Sequence, residues 1–317
     1  MRRSGSALLL AIALAFAGAN PGMAREPDEG VSVGRGSIVR HAYPASLIES
    51  SAQQQFVALK QQAQQKGALL PPNHPQNLRL RRIARDMLPF AEKWNARAKD
   101  WKWEVVTIQS NNINAFCMPG GKIAFFTGII DRLQLSDDEI AMVMGHEMAH
   151  ALREHARARA VKSTLTNLTG RVVGSLIFGQ AGEALGAGAA NLFTLRFSRG
   201  DETDADLVGM ELAARAGYDP ASGVALWEKM GAASKGVPPQ WLSTHPANET
   251  RVKTIKDHLP EVLPLFERAR AAKAAGGRPP SDRQAEPPAQ KQPSGRPAAP
   301  QGPGGAFPQQ VPLPVPR

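Results

Sequence analysis

The sequence predicts a mostly helical α+β domain with one small antiparallel sheet, and three observations carry that prediction. Two stretches of helical composition come first, a short segment rich in Val, Ile, Phe and Trp follows, and a strongly capped helix then opens a second helical half. The ends of the 317-residue chain are set apart by composition. Residues 1–24 read as a signal peptide, with Arg2 and Arg3, an apolar run over residues 7–16, and small residues that allow cleavage after Ala19 or, preferably, Ala24. The run is shorter than the roughly 20 residues needed to span a bilayer, and no cysteine follows it for lipid attachment. These features predict a periplasmic, non-lipidated chain without a membrane span in its mature part. Residues 272–317, rich in Pro, Gly, Gln and Ala, have too few large apolar side chains to offset the entropy of ordering and are expected to form a disordered tail. One domain, residues 25–271, remains.

The elements of that domain follow in order. Residues 44–66 have helix-forming composition and stop at Gly67. Residues 75–98 carry Leu80, Ile83 and Met87 at helical spacing, with Pro89 placed to kink or divide the helix. "WKWEVVTIQS" and "INAFCMPGGKIAFFTGII" then read as strands, with Pro119-Gly120-Gly121 as a tight hairpin. Ser136 and Glu139 form a capping box, backed by Asp137 and Asp138 at the positive end of the helix, and Ile140, Val143, Met144, Ala149 and Leu152 supply its apolar stripe. Residues 161–197 are apolar and glycine-rich and read as a pliable helical hairpin that would cover a cleft as a lid or leave it open. A helix over about 201–216 ends at Gly217, and two or three further helices run through "ASGVALWEKMGAA", "NETRVKTIKDHL" and "PEVLPLFERARAA".

Charge and cysteine content narrow the function. The formal net charge is +10, but the basic residues are dispersed, which argues against a nucleic-acid partner and leaves a weak attraction of the basic residues and Pro-rich tail to anionic membrane surfaces or envelope polymers. Cys117 is the only cysteine, so no intramolecular disulfide forms, and its strand setting makes it a packed small hydrophobe.

"GHEMAH" carries the chemistry. Side chains four apart on a helix share a face, so His146 and His150 can offer two ring nitrogens to one ion while Glu147 borders the same space as a base. In "SRGDETDADLVGMEL", Glu202 and Asp206 sit one turn apart, the arrangement expected of a third ligand and of a carboxylate that accepts the other ring N–H of a liganding histidine. His155 lies nine residues beyond His146, half-way round an uninterrupted helix, and is expected to pack or cap outside the site. His41, His74 and His258 have no partner pattern and read as surface or loop residues.

With "NAFCMPGGKIAFFTG" before these blocks and "STHPANETRV" after them, residues 45–263 resemble the zinc metallopeptidase family of gluzincin type that contains the CAAX prenyl endopeptidases, HtpX, BepA and LoiP. The resemblance implies an α+β fold with the active-site helix under a small sheet, one Zn2+ per chain on His146, His150 and Glu202, and Glu147 as general base. It implies that Asn114, Ala115 and Phe116 lie on an edge strand to which an extended substrate adds. His245 would lie near the metal, as oxyanion donor or fourth ligand, and Arg251 would support the same wall. The function implied is a zinc metalloendopeptidase of the bacterial cell envelope that acts on unfolded or misfolded polypeptides in quality control. A zinc-bearing, chaperone-like binding protein with little turnover is the alternative, and the presence of Glu147 beside the metal pair counts against it.

Overall fold

A computed structural model describes residues 29–161, 197–234, 239–246 and 249–277. The expected signal peptide, residues 162–196 of the glycine-rich stretch and the tail beyond residue 277 lie outside the described residues. Helix α1 (Ala45–Gln65) and helix α2 (Pro75–Met87) come first, and α2 gives way to a 3-10 turn at Pro89, where a prolyl ring denies the helix an N–H donor. His74, expected to be an unattached loop residue, caps α2 by accepting from the Gln76 N–H at 3.3 Å. Strands β1 (Glu104–Ile108), β2 (Ala115–Met118) and β3 (Lys122–Phe126) follow, then helices α3 (Thr127–Leu133) and α4 (Asp137–Leu152). A further helix, α5, begins at residue 155 and is described to residue 161. Helices α6 (Arg199–Arg215), α7 (Ser222–Ala233), the short α8 (Gln240–Thr244) and α9 (Glu249–Ala274) complete the order. Among the described residues no helix is long and apolar enough to cross a membrane.

The sheet departs from the expected antiparallel arrangement in one respect. Its order is β1-β3-β2, with β2 and β3 antiparallel through the hairpin but β1 and β3 parallel. Residues 109–114 carry the chain from β1 to the far side of the sheet, so that β3, apolar from Ile123 to Phe126, takes the centre. The hairpin closes as expected: Gly121 N–H donates to Met118 C=O at 3.2 Å, and Gly120 and Gly121 hold φ values of +80° and +76°. A side chain at 121 would also strike the Trp103 ring, 2.6 Å from an added Cβ.

Strand periodicity divides the core. Val105, Ala115, Cys117, Ile123 and Phe125 join the main cluster beneath the sheet with α2 and α4, whereas Val106, Met118 and Ala124 pack with Ala52 and Phe56 of α1 on the other face. Burial raises the Cys117 thiol well above its ordinary pKa, in keeping with a packing role. The capping box of α4 forms in both directions, Glu139 N–H to Ser136 Oγ at 3.2 Å and Ser136 N–H to Glu139 Oε2 at 2.8 Å. Every residue from Glu139 to Leu152 is buried, so α4 is not a one-sided amphipathic helix but the central rod of the domain. Helix α6 begins with a second capping box, Ser198 with Asp201. Of the two or three helices expected at the carboxyl end, the last two stretches form one, because α9 runs through Pro260 and Pro264 while Ile255, Val262, Leu265 and Ala269 remain buried.

The distance between α4 and α6 is set by two glycines. A Cβ on Gly145 would lie 2.5 Å from the Gly209 carbonyl oxygen, and one on Gly209 would lie 2.5 Å from the His146 backbone nitrogen. Both obstacles are backbone, so no side-chain rotation relieves them. Gly209→Ala is therefore expected to destabilise the fold by about 1–3 kcal/mol despite the better helix propensity of alanine, and to lower metal uptake as the helices part. Urea unfolding together with metal content checks both outcomes.

Candidate active site and metal centre

Helix α4 presents His146 and His150 one turn apart, α6 presents Glu202, and the residue that ends α8 is His245. Ring nitrogens and carboxylate oxygens from these four buried residues lie within 4.8 Å of one another. The Nε2 atoms of His146 and His150 are 3.0 Å apart, His146 Nε2 is 3.2 Å from His245 Nδ1, and His245 Nδ1 is 3.1 Å from Glu202 Oε1. Glu202 carboxylate oxygens stand 3.5 Å from the Nε2 atoms of both His146 and His150. Zinc bonds of 2.0–2.1 Å give a tetrahedron with edges of about 3.3 Å, so the donor set has the spacing that a single small cation requires.

The electrostatics point the same way. Burial disfavours a charge on His146, but the Asp206 and Glu202 carboxylates outweigh it and push that imidazole up to about 9. Burial holds His150 well below its ordinary value. Burial alone would raise Glu202, yet its hydrogen bonds to His146 and His245 hold it far below the carboxylate range. A pocket that draws a proton onto one of its imidazoles at neutral pH favours a cation in its centre.

Asp206, one turn after Glu202 on α6, accepts at Oδ1 from His146 Nδ1 at 3.0 Å, as expected of the carboxylate behind a ligand. Arg251 grips it from α9: its Nε and Nη2 atoms donate at 2.6 Å to the two Asp206 oxygens, and Nη1 lies 2.7 Å from Glu202 Oε2. This guanidinium is 2% exposed and stacks on Trp227, 3.9 Å from the ring centroid. Burial would raise Asp206, but Arg251 and His146 keep it below its ordinary value.

Glu147 faces a cavity of about 760 Å³ that is also lined by Asn114, Ala115, Phe116 and His245, with Leu59 of α1 and Phe197 on its walls. Strand β2 is the sheet edge beside that cavity. Phe126 N–H donates to Asn114 C=O at 3.1 Å, which fixes the ladder: the main-chain groups of Asn114, Phe116 and Met118 turn to β3, and those of Ala115 and Cys117 turn outwards.

Two residues beside the site were not assigned to it from the sequence. Trp241 donates its indole N–H to Glu147 Oε1 at 2.6 Å and stacks on His245, with centroids 4.9 Å apart and planes at 25°. Its spacing of four from His245 on α8 was the available signal. His155, placed outside the site by helical geometry, lies against His150 instead, with the two Nδ1 atoms 2.9 Å apart. The helix it was assumed to continue ends at Leu152, and Glu154 adopts φ +59°, so α5 starts in a new direction.

Residues 75–259 match the model of "Peptidase family M48". The chain belongs to peptidase family M48. It is similar to the mitochondrial metalloendopeptidase OMA1 of Schizosaccharomyces pombe, at 33% identity over 61% of this chain and 56% of that protein, and to its Saccharomyces cerevisiae counterpart, at 30% identity over 68% and 64%. It is also similar to the beta-barrel assembly-enhancing protease of Yersinia pestis, at 28% identity over 54% of this chain and 37% of that protein. The alignments thus take in less than two thirds of the length of each of these relatives.

Replacing Arg251 by the apolar, similarly long Met leaves Glu202 and Asp206 buried without their counter-charge. Arg251→Met is expected to cost about 3–5 kcal/mol of stability, and urea unfolding of the metal-free chain would measure it.

Proposed function

We propose that this M48 chain is a zinc-dependent metalloendopeptidase of the bacterial cell envelope that cleaves unfolded polypeptide chains. The single observation that carries the reading is the four-donor cluster of His146, His150, Glu202 and His245 at the spacing a zinc ion needs, with Glu147 beside it. Zinc, when bound there, supplies a Lewis acid that polarises the scissile carbonyl and acidifies a water. His146, His150 and Glu202 hold the ion, and Asp206 fixes His146 in the tautomer that leaves Nε2 free. Glu147, with Oε1 engaged by Trp241, takes the water proton on Oε2 and passes it to the departing amine.

The substrate class follows from β2. Outward main-chain groups at Ala115 and Cys117, separated by one residue, suit an extended chain added as a further strand. A folded domain has no free extended backbone to offer, whereas an unfolded protein does. The envelope location rests on the signal-like residues 1–24, and the Yersinia relative's name, a protease that enhances beta-barrel assembly, is in keeping with it.

Digestion of reduced, alkylated lactalbumin by the purified chain tests the activity. Cleavage is expected with zinc and not with a chelator, and Glu147→Gln is expected to bind zinc normally while cleaving about 10²–10⁴-fold more slowly. A glutamine variant as fast as the parent would defeat this mechanism, and a parent that binds the unfolded protein without cutting it would favour the chaperone-like alternative.

His245 divides two readings, oxyanion donor or fourth ligand. Its Nδ1 stands among the metal-directed donors rather than towards the edge strand, which supports the fourth-ligand reading. Four protein ligands would close a zinc site to water, so in that reading His245 would have to withdraw for turnover. His245→Ala is accordingly expected to raise the cleavage rate, and a fall of the size seen on losing an oxyanion donor, about 10²–10³-fold, would assign it the other role.

A further inference from the structure

We propose that His155 and Asp204 are positioning residues for the metal ligand His150, acting as a histidine relay to a carboxylate. The inference rests on the reading of His146, His150 and Glu202 as zinc ligands and deepens it by naming what orients the second histidine.

His146 has its carboxylate in direct contact, Asp206 at 3.0 Å. His150 has none. Its Nε2 is committed to the donor cluster, 3.0 Å from His146 Nε2, so the other ring nitrogen needs a partner on the far side. That partner is His155, with the two Nδ1 atoms 2.9 Å apart, and His155 Nε2 in turn lies 3.3 Å from Asp204 Oδ2. Both rings are buried, and Asp204 is held in place by Arg153, whose Nε donates to Oδ2 at 2.7 Å.

These contacts admit one assignment of protons to the neutral rings. A His150 that offers the Nε2 lone pair to a cation carries its proton on Nδ1. That proton is donated to His155 Nδ1, so His155 is protonated on Nε2, which donates to Asp204 Oδ2. Every ring nitrogen then has a role, and each bond polarises the next towards His150 Nε2. The helix break makes this possible: Glu154 at φ +59° turns the chain so that His155 doubles back on the preceding helix instead of facing away from it. Phe197 closes the arrangement from the cavity side, stacked on His150 with centroids 3.9 Å apart.

The test uses the full chain and reads zinc affinity by competition with a chromophoric chelator, together with the visible absorption of the cobalt-substituted protein, which reports ligand geometry. His155→Phe keeps the ring and removes the acceptor, and it is expected to weaken zinc about 10-fold to 100-fold and to alter the cobalt spectrum. His155→Asn, whose amide oxygen accepts near the former Nδ1, is expected to restore most of the affinity. Because Asp204 acts through His155, Asp204→Asn is expected to weaken zinc in the parent but to add nothing to His155→Phe. If His155→Phe does not fold, Asp204→Asn in the parent and the retained affinity of His155→Asn carry the same test. A parent that takes up zinc while His155→Phe binds as tightly, or additive losses in the double variant, overturns this inference and leaves the metal site standing. A parent chain that binds no zinc overturns both.

Discussion

The approach of two backbones at Gly145 and Gly209 is the constraint on which the rest of the site depends. Helix α4 carries two of the four metal-directed side chains and α6 carries a third, together with Asp206 behind His146 and Asp204 beside His155. Side chains this short reach a common point only if the helix axes are close, and a single methyl group on either glycine would meet main chain at 2.5 Å. The burial of α4 on all sides follows from the same demand, since a rod squeezed against α6 on one side and the sheet on another has no face left for solvent.

Having been brought together, these groups create an electrostatic problem that the fold answers in part with one arginine. Glu202, Asp206 and Glu147 are all buried. Arg251 neutralises part of that charge from α9, and the rise of His146 to about 9 shows that the remainder is enough to draw a proton into the pocket. The same negative potential would favour a metal ion, so its binding would be coupled to the stability of the α4-α6-α9 core.

Much of this was legible in the sequence, and what was not has identifiable causes. Local patterns transferred well: the Ser136 and Glu139 capping box, the division of the second helix at Pro89 and the hairpin at Pro119-Gly120-Gly121 each depend on a few adjacent residues. The one-turn spacings of His146 with His150 and of Glu202 with Asp206 put all four side chains where helical geometry said they would be. Long-range choices were not legible. Nothing local says that β3 inserts between β1 and β2, or that burial of Ile255, Val262 and Leu265 carries α9 through two prolines. His155 was misplaced for a sharper reason, because helical arithmetic assumes an unbroken helix and one residue, Glu154, breaks it. Trp241 was overlooked because an indole one turn from a candidate ligand reads as packing until its N–H is seen to reach a carboxylate.

The position of Arg251 in the chain has a consequence for when the site exists at all. It follows His146 by 105 residues and stands in the last described helix, and His245 follows the same histidine by 99. A polypeptide emerging from synthesis therefore presents the paired histidines long before the residues that complete their surroundings. Until α9 docks, Glu202 and Asp206 lack the Arg251 counter-charge. The order of the residues along the chain thus makes the donor cluster a late product of folding, completed by side chains that lie far beyond the histidine pair in sequence.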